Sequence, residues 1–270
     1  MTVHNIEGAL VLGCGYTGMV LLRKIELTPL PVWATSRDAK RLGILAQAGA
    51  TPVQWEAPNE LPKTRANTAF VLFAPGDLDP VEVANLFPTG MRTVYCSSTS
   101  VYGEHDGAWV DEDTPCDPGS ERGRRRVAFE NAFRDRGGVV VRPGGIYGPK
   151  RNIVERHRGG RLRLPSDADL DRPVNLIHVD DLASILWAAA QRGRPGAVYT
   201  AVDGSPVLWS ALASVAEEVA GKPIPEAVPG SSPISAFLRE SRRCRADRIH
   251  DELGVDLQHP NAIETLRALG

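Results

Sequence analysis

The sequence predicts a doubly wound parallel α/β sheet with a smaller lobe toward its C-terminal end. Three observations predict this fold class: short apolar runs, helical segments between them, and glycine or proline at several of the boundaries. The first run, Ala9–Leu12, is continuously apolar, as a strand buried on both faces is. Strands of this kind that alternate with helices form a parallel sheet covered by helices on both sides.

Six strands and three helices are predicted before residue 150. The strands are Ala9–Leu12, Pro31–Thr35, Ala50–Trp55, Thr68–Phe73, Thr93–Cys96 and Val139–Val141. The helices are Met19–Leu27, Lys40–Gln47 and Arg122–Asp135. Pro29 ends the first helix because proline disfavours helical backbone before it, and Gly49 ends the second in the usual glycine position.

The rhythm changes after Pro149. Lys150–Arg163 is a basic stretch, which fits either an anionic ligand or a solvated surface. The later elements are predicted as strands Val174–His178 and Ala197–Val202, and as helices Asp180–Gln191, Leu208–Ala220 and Ala246–Leu253. We therefore expect residues 1–150 to form the main domain, with its sheet completed by about residues 174–203, and residues 151–270 to form a smaller lobe.

Composition excludes several classes of protein. The 270 residues are 42% hydrophobic and 24% charged, which is ordinary for a globular chain with a core. A formal net charge of −2 gives no support for a nucleic-acid partner or a membrane surface. The apolar run Ala9–Leu12 is too short for a signal peptide or a membrane span, so we expect a cytoplasmic protein. The four cysteines lack the close spacing of zinc ligands, and no metal site is predicted.

A glycine-rich turn follows the first predicted strand and opens the first helix. It contains Gly13, Gly15 and Gly18, with Tyr16 and Thr17 before the last glycine. In a dinucleotide-binding turn of this spacing, one glycine makes the tight turn, one admits the pyrophosphate, and one lets helix and strand pack closely. Free N–H groups at the helix N-terminus then face the phosphates. Strand, turn and helix in this order predict a dinucleotide site.

The end of the second strand bears on which dinucleotide binds. An NAD site usually has a carboxylate there, about 20 residues past the glycines, for the ribose hydroxyls. This chain has Ser36 and Arg37 at that place, and Asp38 stands one residue later. A hydroxyl and a forked guanidinium suit the additional 2′-phosphate of NADP. We therefore predict NADP as the cofactor, with NAD as the alternative.

Two further motifs point to a known family. The fifth strand runs into Ser97–Gly103, which reads SSTSVYG, and the sixth into Arg142–Pro149, which reads RPGGIYGP. With the glycine turn and the segment Val174–Ala183, they resemble the extended short-chain dehydrogenase/reductases, a group of NAD(P)-dependent sugar-nucleotide epimerases and dehydratases. The resemblance spans nearly the whole chain and implies a Rossmann fold. It also leaves a homodimer open, since relatives often pair through the helix predicted here at Arg122–Asp135.

The resemblance implies roles for particular residues. Ser98 corresponds to the serine or threonine that holds the substrate's reacting oxygen. The cofactor is expected against residues that follow the fourth, fifth and sixth strands, namely Ala74, Pro75, Ser97, Pro143 and Gly144. Tyr102 and His178 correspond to positions that are usually structural, although His178 could also be catalytic.

The chain departs from the family at its catalytic pair. Relatives carry Tyr-x-x-x-Lys on the helix after this loop, commonly with a glutamate four residues beyond the lysine. With Glu130 as that glutamate, Arg126 takes the lysine's place and Arg122 the tyrosine's. Arginine stays protonated at neutral pH and cannot act as a general base there. Tyr147 is the predicted replacement, and water or the substrate itself could also move the proton.

Two classes of function remain open. One is an NADP-dependent oxidoreductase that transfers hydride on a small polar substrate, which could be anionic. Epimerisation or dehydration with a retained cofactor is the runner-up within that class. The other is a non-catalytic dinucleotide-binding sensor or assembly subunit. Arg126 is expected to contact the cofactor, and Arg122 and Arg126 could instead hold an anionic substrate or form a solvated helix face.

Overall fold

The computed structural model describes residues 3–164, 169–227 and 240–268. Its strands are β1 Ala9–Leu12, β2 Val32–Ser36, β3 Thr51–Gln54, β4 Thr68–Val71, β5 Arg92–Cys96, β6 Trp109–Val110, β7 Val139–Pro143, β8 Gly145–Tyr147, β9 Pro173–Val174, β10 Leu176–His178, β11 Val198–Ala201, β12 Val207–Leu208 and β13 Arg243–Cys244. Its helices are α1 Tyr16–Glu26, α2 Leu42–Gln47, α3 Pro80–Asn85, α4 Glu121–Arg134, α5 Ile153–Arg158, α6 Val179–Arg192, α7 Trp209–Ala220, α8 Asp247–Asp251 and α9 Ala262–Ala268.

Seven parallel strands form the central sheet in the order β3-β2-β1-β4-β5-β7-β11. The predicted doubly wound fold is therefore confirmed, and the six predicted strands before residue 150 all lie in this sheet. The strand predicted at Ala197–Val202 is β11, which the C-terminal part of the chain returns to the sheet beside β7. The strand order reverses between β1 and β4, which opens a crevice at the carboxyl ends of these strands.

Helices cover both faces of the sheet. On one face, α1 and α6 pack against each other and against β1 and β5 through Leu21, Leu22, Ile25 and Leu186, all almost fully buried. On the other face, Phe129 and Phe133 of α4 pack against Tyr95 of β5. Apolar burial on both faces is the main stabilising contribution to such a fold. The inner strands β1 and β4 are buried throughout, whereas the edge strand β3 is partly exposed.

The single strand predicted at Val174–His178 is wrong. The chain is divided there into β9, which pairs antiparallel with β12, and β10, which pairs parallel with β8. Asn175 lies between them and uses its side-chain amide elsewhere: it donates to the Arg242 carbonyl at 2.9 Å and accepts the Cys244 N–H at 2.7 Å. A buried amide with these partners fixes the turn between the two strands.

A smaller group of elements packs beside the sheet. Side chains of α5, α7 and α9 form an apolar cluster with Tyr147 at the end of β8, through Val154, Leu212 and Leu266. The basic stretch at Lys150–Arg163 contains α5, which was not predicted. The division of the chain at residue 150 stays a prediction. None of the described helices is long and apolar enough to cross a bilayer.

Candidate functional site

The glycine turn lies at the switch point of the sheet, between β1 and α1. Gly13 has a φ of +76°, and a Cβ there would lie 2.8 Å from the Cβ of Phe73, so this position requires glycine. A Cβ on Gly18 would lie 2.9 Å from the Sγ of Cys14, which explains the close packing of helix and turn. Gly15 differs from both, because its nearest atom is the Gly13 carbonyl oxygen at 3.9 Å. Gly15 therefore borders an open space in front of the helix.

The N-terminus of α1 faces this space without a side-chain cap. Gly15 is the N-cap residue, and the first turn, which contains Tyr16 and Thr17, carries no acidic side chain. The first N–H groups of a helix have no partner within the helix and are satisfied by caps, water or ligands. Their partial positive charge attracts anions. The turn is thus suited to a diphosphate.

Tyr16 connects the glycine turn to the loop after β8. Its hydroxyl donates to the Pro149 carbonyl oxygen at 3.1 Å, and the Arg151 guanidinium lies 5.3 Å from the centre of its ring. Partial burial raises the pKa of Tyr16, against the opposing effect of Arg151. The side chain therefore forms a wall between the turn and the neighbouring loop.

The predicted cofactor-selecting residues lie at the end of β2. Arg37 is well exposed and pairs with Glu56 at 3.2 Å. Ser36 is buried, and its hydroxyl accepts the backbone N–H of Asp38 at 3.2 Å. The Asp38 carboxylate accepts the backbone N–H of Lys40 at 2.9 Å and caps the short helical turn that follows. Asp38 is thus engaged locally, while Arg37 remains accessible to a ligand.

Arg41 was not singled out from the sequence, yet it reaches the glycine turn. Its guanidinium donates to the Cys14 carbonyl oxygen at 3.1 Å. Arg41 ends the short helical turn that Asp38 caps after β2, and this cap was the signal that could have indicated a second cation folded back toward the strand end.

A cavity of about 410 Å³ opens between the loop after β4 and the start of α4. Its lining includes two residues predicted to contact the cofactor, Ala74 and Pro75, and also Arg122. Arg125 closes one side of the cavity, because it pairs with Asp77, donates to the Gly76 carbonyl oxygen at 2.6 Å and binds Glu121 at 3.0 Å. The structure thus brings Ala74, Pro75 and Arg122 to one cavity, whereas Arg126 is not among its lining residues.

The loop after β5 holds the two predicted serines. Ser98 is half-buried, and its hydroxyl accepts the Ser100 N–H at 3.2 Å and caps a short helical turn. Ser97 is 4% exposed, and its hydroxyl has no hydrogen-bond partner among the described residues. A buried hydroxyl without a partner is unfavourable in the free protein. A ligand with a polar group would satisfy it.

Arg126 lies at the end of β5, in the place of the family's lysine. It is 9% exposed and sits beside the Tyr95 hydroxyl and the Cys96 thiol, where its charge opposes the effect of burial on both. Burial is the larger effect: it raises the pKa of Tyr95 and raises the pKa of Cys96 to about 11. A neutral Cys96 is not poised as a nucleophile.

Glu130 is part of a buried ion pair. It accepts three hydrogen bonds from Arg142, at 3.1, 3.1 and 2.6 Å, and the side chains are 1% and 4% exposed. The Arg142 guanidinium also lies 4.9 Å from the centre of the Tyr102 ring. The Tyr102 hydroxyl binds Thr200 at 2.8 Å. Glu130 and Tyr102 therefore hold α4, the loop after β5 and β11 together.

The loop after β7 contains Pro143 and Gly144. Pro143 ends the strand opposite Ala201. A Cβ on Gly144 would lie 2.6 Å from the Asn175 carbonyl oxygen, so close packing already explains this glycine. A contact of either residue with the cofactor stays a prediction.

Tyr147 lies in the apolar cluster of α5, α7 and α9. It is 4% exposed, and burial raises the pKa of its hydroxyl to about 12. A hydroxyl this weakly acidic is a poor proton donor at neutral pH. Its ring meets that of His178 edge to face at 5.2 Å. The catalytic role of Tyr147 stays a prediction, and its surroundings do not favour it.

His178 ends β10, caps the N-terminus of α6 and packs its ring against His259. Its Nδ1 accepts the Asp180 N–H at 3.3 Å, and burial and His259 lower its pKa. The nitrogen and carboxylate atoms of His178, Asp180 and His259 lie within 4.8 Å of one another. The ring centres are only 3.7 Å apart, whereas two imidazoles on one tetrahedral ion would have centres about 5 Å apart. The two rings pack against each other at a tilt of 38°, too close for the arrangement of two histidines on one such ion.

Comparison with known proteins places the chain in a family. The model of the NAD dependent epimerase/dehydratase family matches residues 44–201. A conserved protein of unknown function from Silicibacter pomeroyi has a solved structure with a TM-score of 0.83 and 34% identity, covering 97% of this chain and 98% of that one. Human epimerase family protein SDR39U1 with NADPH has a TM-score of 0.74 at 18% identity, covering 97% of this chain and 98% of that one.

A curated relative matches over a shorter region. Protein YeeZ of Escherichia coli is 30% identical over 133 residues, which are 48% of this chain and 45% of that protein. The aligned region therefore spans less than half the length of that relative. The family model covers more than half of the 270 residues and agrees with the resemblance found in the sequence motifs. This chain belongs to the NAD dependent epimerase/dehydratase family.

Proposed function

We propose that the chain binds NADP(H) at the glycine turn and transfers hydride to or from a small polar substrate. The observation that carries the proposal is the uncapped N-terminus of α1 behind Gly15, which has open space in front of it. Backbone N–H groups there would hold the diphosphate. The family of the chain, which is defined as NAD dependent, supports the same cofactor class.

The cluster at the end of β2 supports NADP over NAD. Arg37 is accessible, Arg41 reaches the glycine turn, and the Ser36 hydroxyl lies between β2 and the turn that follows. Asp38, the carboxylate that would suit the ribose hydroxyls of NAD, caps the backbone of Lys40 instead. Guanidinium groups bind phosphate oxygens with paired hydrogen bonds, which favours the 2′-phosphate of NADP.

The substrate side is proposed at the end of β5. The bound nicotinamide would supply the hydride chemistry there. Ser98 would orient the reacting oxygen of the substrate, and Ser97 and Arg126 would donate to polar groups of the cofactor or substrate. Arginine at residues 122 and 126 cannot accept the proton, so water or the substrate carries it. The loss of a positioned acid or base costs about 10²–10⁴-fold in rate, and we expect slow turnover.

Two alternatives keep specific support. The family includes epimerases and dehydratases, which supports a reaction that returns the hydride to the same substrate. The replacement of both catalytic family residues by Arg122 and Arg126, together with the weakly acidic Tyr147, supports a dinucleotide-binding protein without turnover. The two differ from the oxidoreductase in whether NADPH is consumed.

The test measures NADPH consumption with a panel of small carbonyl compounds, after cofactor binding has been established by calorimetry. We expect slow loss of NADPH absorbance with at least one compound, and a reduction of about 10²-fold or more in Ser98→Ala. Ser214→Ala is the control, because Ser214 is exposed on α7 and its hydroxyl only bonds the Ser210 carbonyl. Binding without turnover on any compound would favour the sensor, and full turnover in Ser98→Ala would refute the role of Ser98.

A further inference from the structure

Two arginines lie on the face of α4 that borders the proposed site. Arg122 and Arg126 are four residues apart, so their side chains lie on the same side of the helix, about 6 Å apart along its axis. Arg122 is exposed and lines the 410 Å³ cavity beside Ala74 and Pro75. Arg126 lies deeper, 9% exposed, at the end of β5. Arg122 thus borders the cavity, and Arg126 lies one turn further along the same face of α4, beside Tyr95 and Cys96.

The charge of Arg126 is not balanced within the protein. The buried carboxylate nearest to it on α4, Glu130, is occupied by Arg142 through three hydrogen bonds. The buried carboxylate of α4 is therefore taken by Arg142 and does not pair with Arg126. Throughout residues 3–164, 169–227 and 240–268, Arg126 forms no ion pair. A buried charge without a counterion is strongly unfavourable, so an anion from outside the protein would relieve it.

The acids of the cavity wall do not balance Arg122 either. Asp77 pairs with Arg125, and Glu121 pairs with both Arg124 and Arg125. These pairings lower the pKa of Asp77 and of Glu121, so both carboxylates stay ionised and paired with other arginines. In the described part of the chain, Arg122 has no carboxylate partner. The cavity thus carries positive charge on its α4 side.

Two buried polar atoms at the ends of the neighbouring strands β5 and β7 also lack partners in the part of the chain that the structure describes. Ser97 Oγ and Arg142 Nη1 are buried and have no hydrogen-bond partner among the described residues. A guanidinium carries five N–H donors in a planar fork, which matches the oxygens of a carboxylate or phosphate. The neutral hydroxyls of a ribose would satisfy hydrogen bonds but would leave the charge of Arg126 uncompensated. The group that would compensate the charge of Arg126 is an anion.

We propose that the substrate carries a carboxylate or phosphate group, which binds to Arg122 in this cavity and to Arg126 on the same face of α4. The inference rests on the proposed function, because the cavity adjoins the predicted cofactor residues Ala74 and Pro75. The two arginines then hold the substrate by its anionic group, in the place where relatives carry a tyrosine and a lysine for proton transfer. With arginines in place of the tyrosine and the lysine, this face of α4 recognises an anion instead of transferring a proton.

The test titrates the NADP⁺-saturated protein with inorganic phosphate and, separately, with malonate, by calorimetry and by thermal melting. We expect at least one of the two to bind and to raise the melting temperature. Arg122→Gln should weaken that anion by about tenfold or more, since it removes a charged hydrogen-bond donor, while NADP⁺ affinity stays within about twofold. Arg122 is exposed, so this variant should fold normally. Arg124→Gln is the matched control, because Arg124 lies on the same helix and binds only Glu121.

The outcomes separate the two proposals. Binding of phosphate alone identifies a phosphorylated substrate, and binding of malonate alone a carboxylic acid; either supports the inference when Arg122→Gln weakens it. Equal anion affinity in the wild type and Arg122→Gln, with NADP⁺ still bound, overturns the inference alone, as does the absence of binding by both anions. Failure of the wild type to bind NADP⁺ overturns the proposed function itself and this inference with it.

Discussion

Asp203 should make the protein less stable as pH rises toward neutral. It follows β11, is 5% exposed, and has one carboxylate oxygen without a partner among the described residues. Burial raises its pKa from 3.8 to about 7, against the hydrogen bonds from the backbone of Ser205 and Ala262. Because the folded pKa lies above the unfolded one, the folded state holds this proton more tightly. The stabilisation is complete below about pH 4 and is lost as pH rises through 7.

The size of the effect follows from the two pKa values. The interval from 3.8 to about 7, at about 1.36 kcal/mol per pKa unit, corresponds to roughly 4 kcal/mol. Asp203→Asn removes the titration, so its free energy of unfolding should lack this component of the pH dependence. The assay is urea denaturation of both proteins from pH 4 to pH 8, followed by circular dichroism. We expect the free energy of unfolding of the variant, relative to that of the wild type, to rise by up to about 4 kcal/mol between pH 4 and pH 8.

A matched control is Asp251→Asn, since Asp251 is exposed on α8. Its pH dependence should parallel that of the wild type. Parallel curves for the wild type and Asp203→Asn would refute the reasoning, because they would show that Asp203 titrates alike in the folded and unfolded chain.

Three further changes test other parts of the structure. Glu130→Gln leaves the buried Arg142 without its carboxylate and should cost about 3–5 kcal/mol in chemical denaturation, while the exposed Glu264→Gln should cost less than about 0.5 kcal/mol. Gly13→Ala places a Cβ 2.8 Å from Phe73 at a φ of +76° and should lower stability by about 2–4 kcal/mol; a normal melting temperature would contradict this geometry. Arg41→Gln should weaken NADP⁺ by about tenfold and NAD⁺ by much less in calorimetry, and equal losses for both would remove Arg41 from the phosphate site.

Elements that are continuously apolar were predictable, because such a run by itself indicates a strand that is buried on both faces. The first strand, β1, is of this kind, whereas the edge strand β3 is partly exposed and was predicted from its place in the strand–helix alternation. Short elements were not: α3 has only six residues, although Asp79 as its cap and Pro80 as its first residue were readable signals. The break between β9 and β10 depends on Asn175 and its bonds to Arg242 and Cys244, which lie some 70 residues away in the sequence.

In the candidate site, too, local motifs were predictable and features that depend on distant residues were not. The glycine turn is a local motif, and the three different surroundings of its glycines agree with the roles expected from spacing. The unbalanced charge of Arg126 could not be read from the sequence, because it depends on Arg142 taking Glu130 across the fold. The surroundings of Tyr147 likewise come from α7 and α9, whose packing no local pattern reports.

Calorimetric titration of the wild type and Gly15→Ala with NADP⁺ tests the central claim most directly. The space around the Cβ direction of Gly15 is open, but its φ of −90° and ψ of −144° lie outside the backbone regions that residues with a Cβ favour. Alanine there should lower stability and fill the cradle in front of α1, so binding is measured below the melting temperature of the variant. The account predicts that the wild type binds NADP⁺ and that folded Gly15→Ala binds it at least about tenfold more weakly. Equal affinity in the two proteins, or no binding by the wild type, would contradict it.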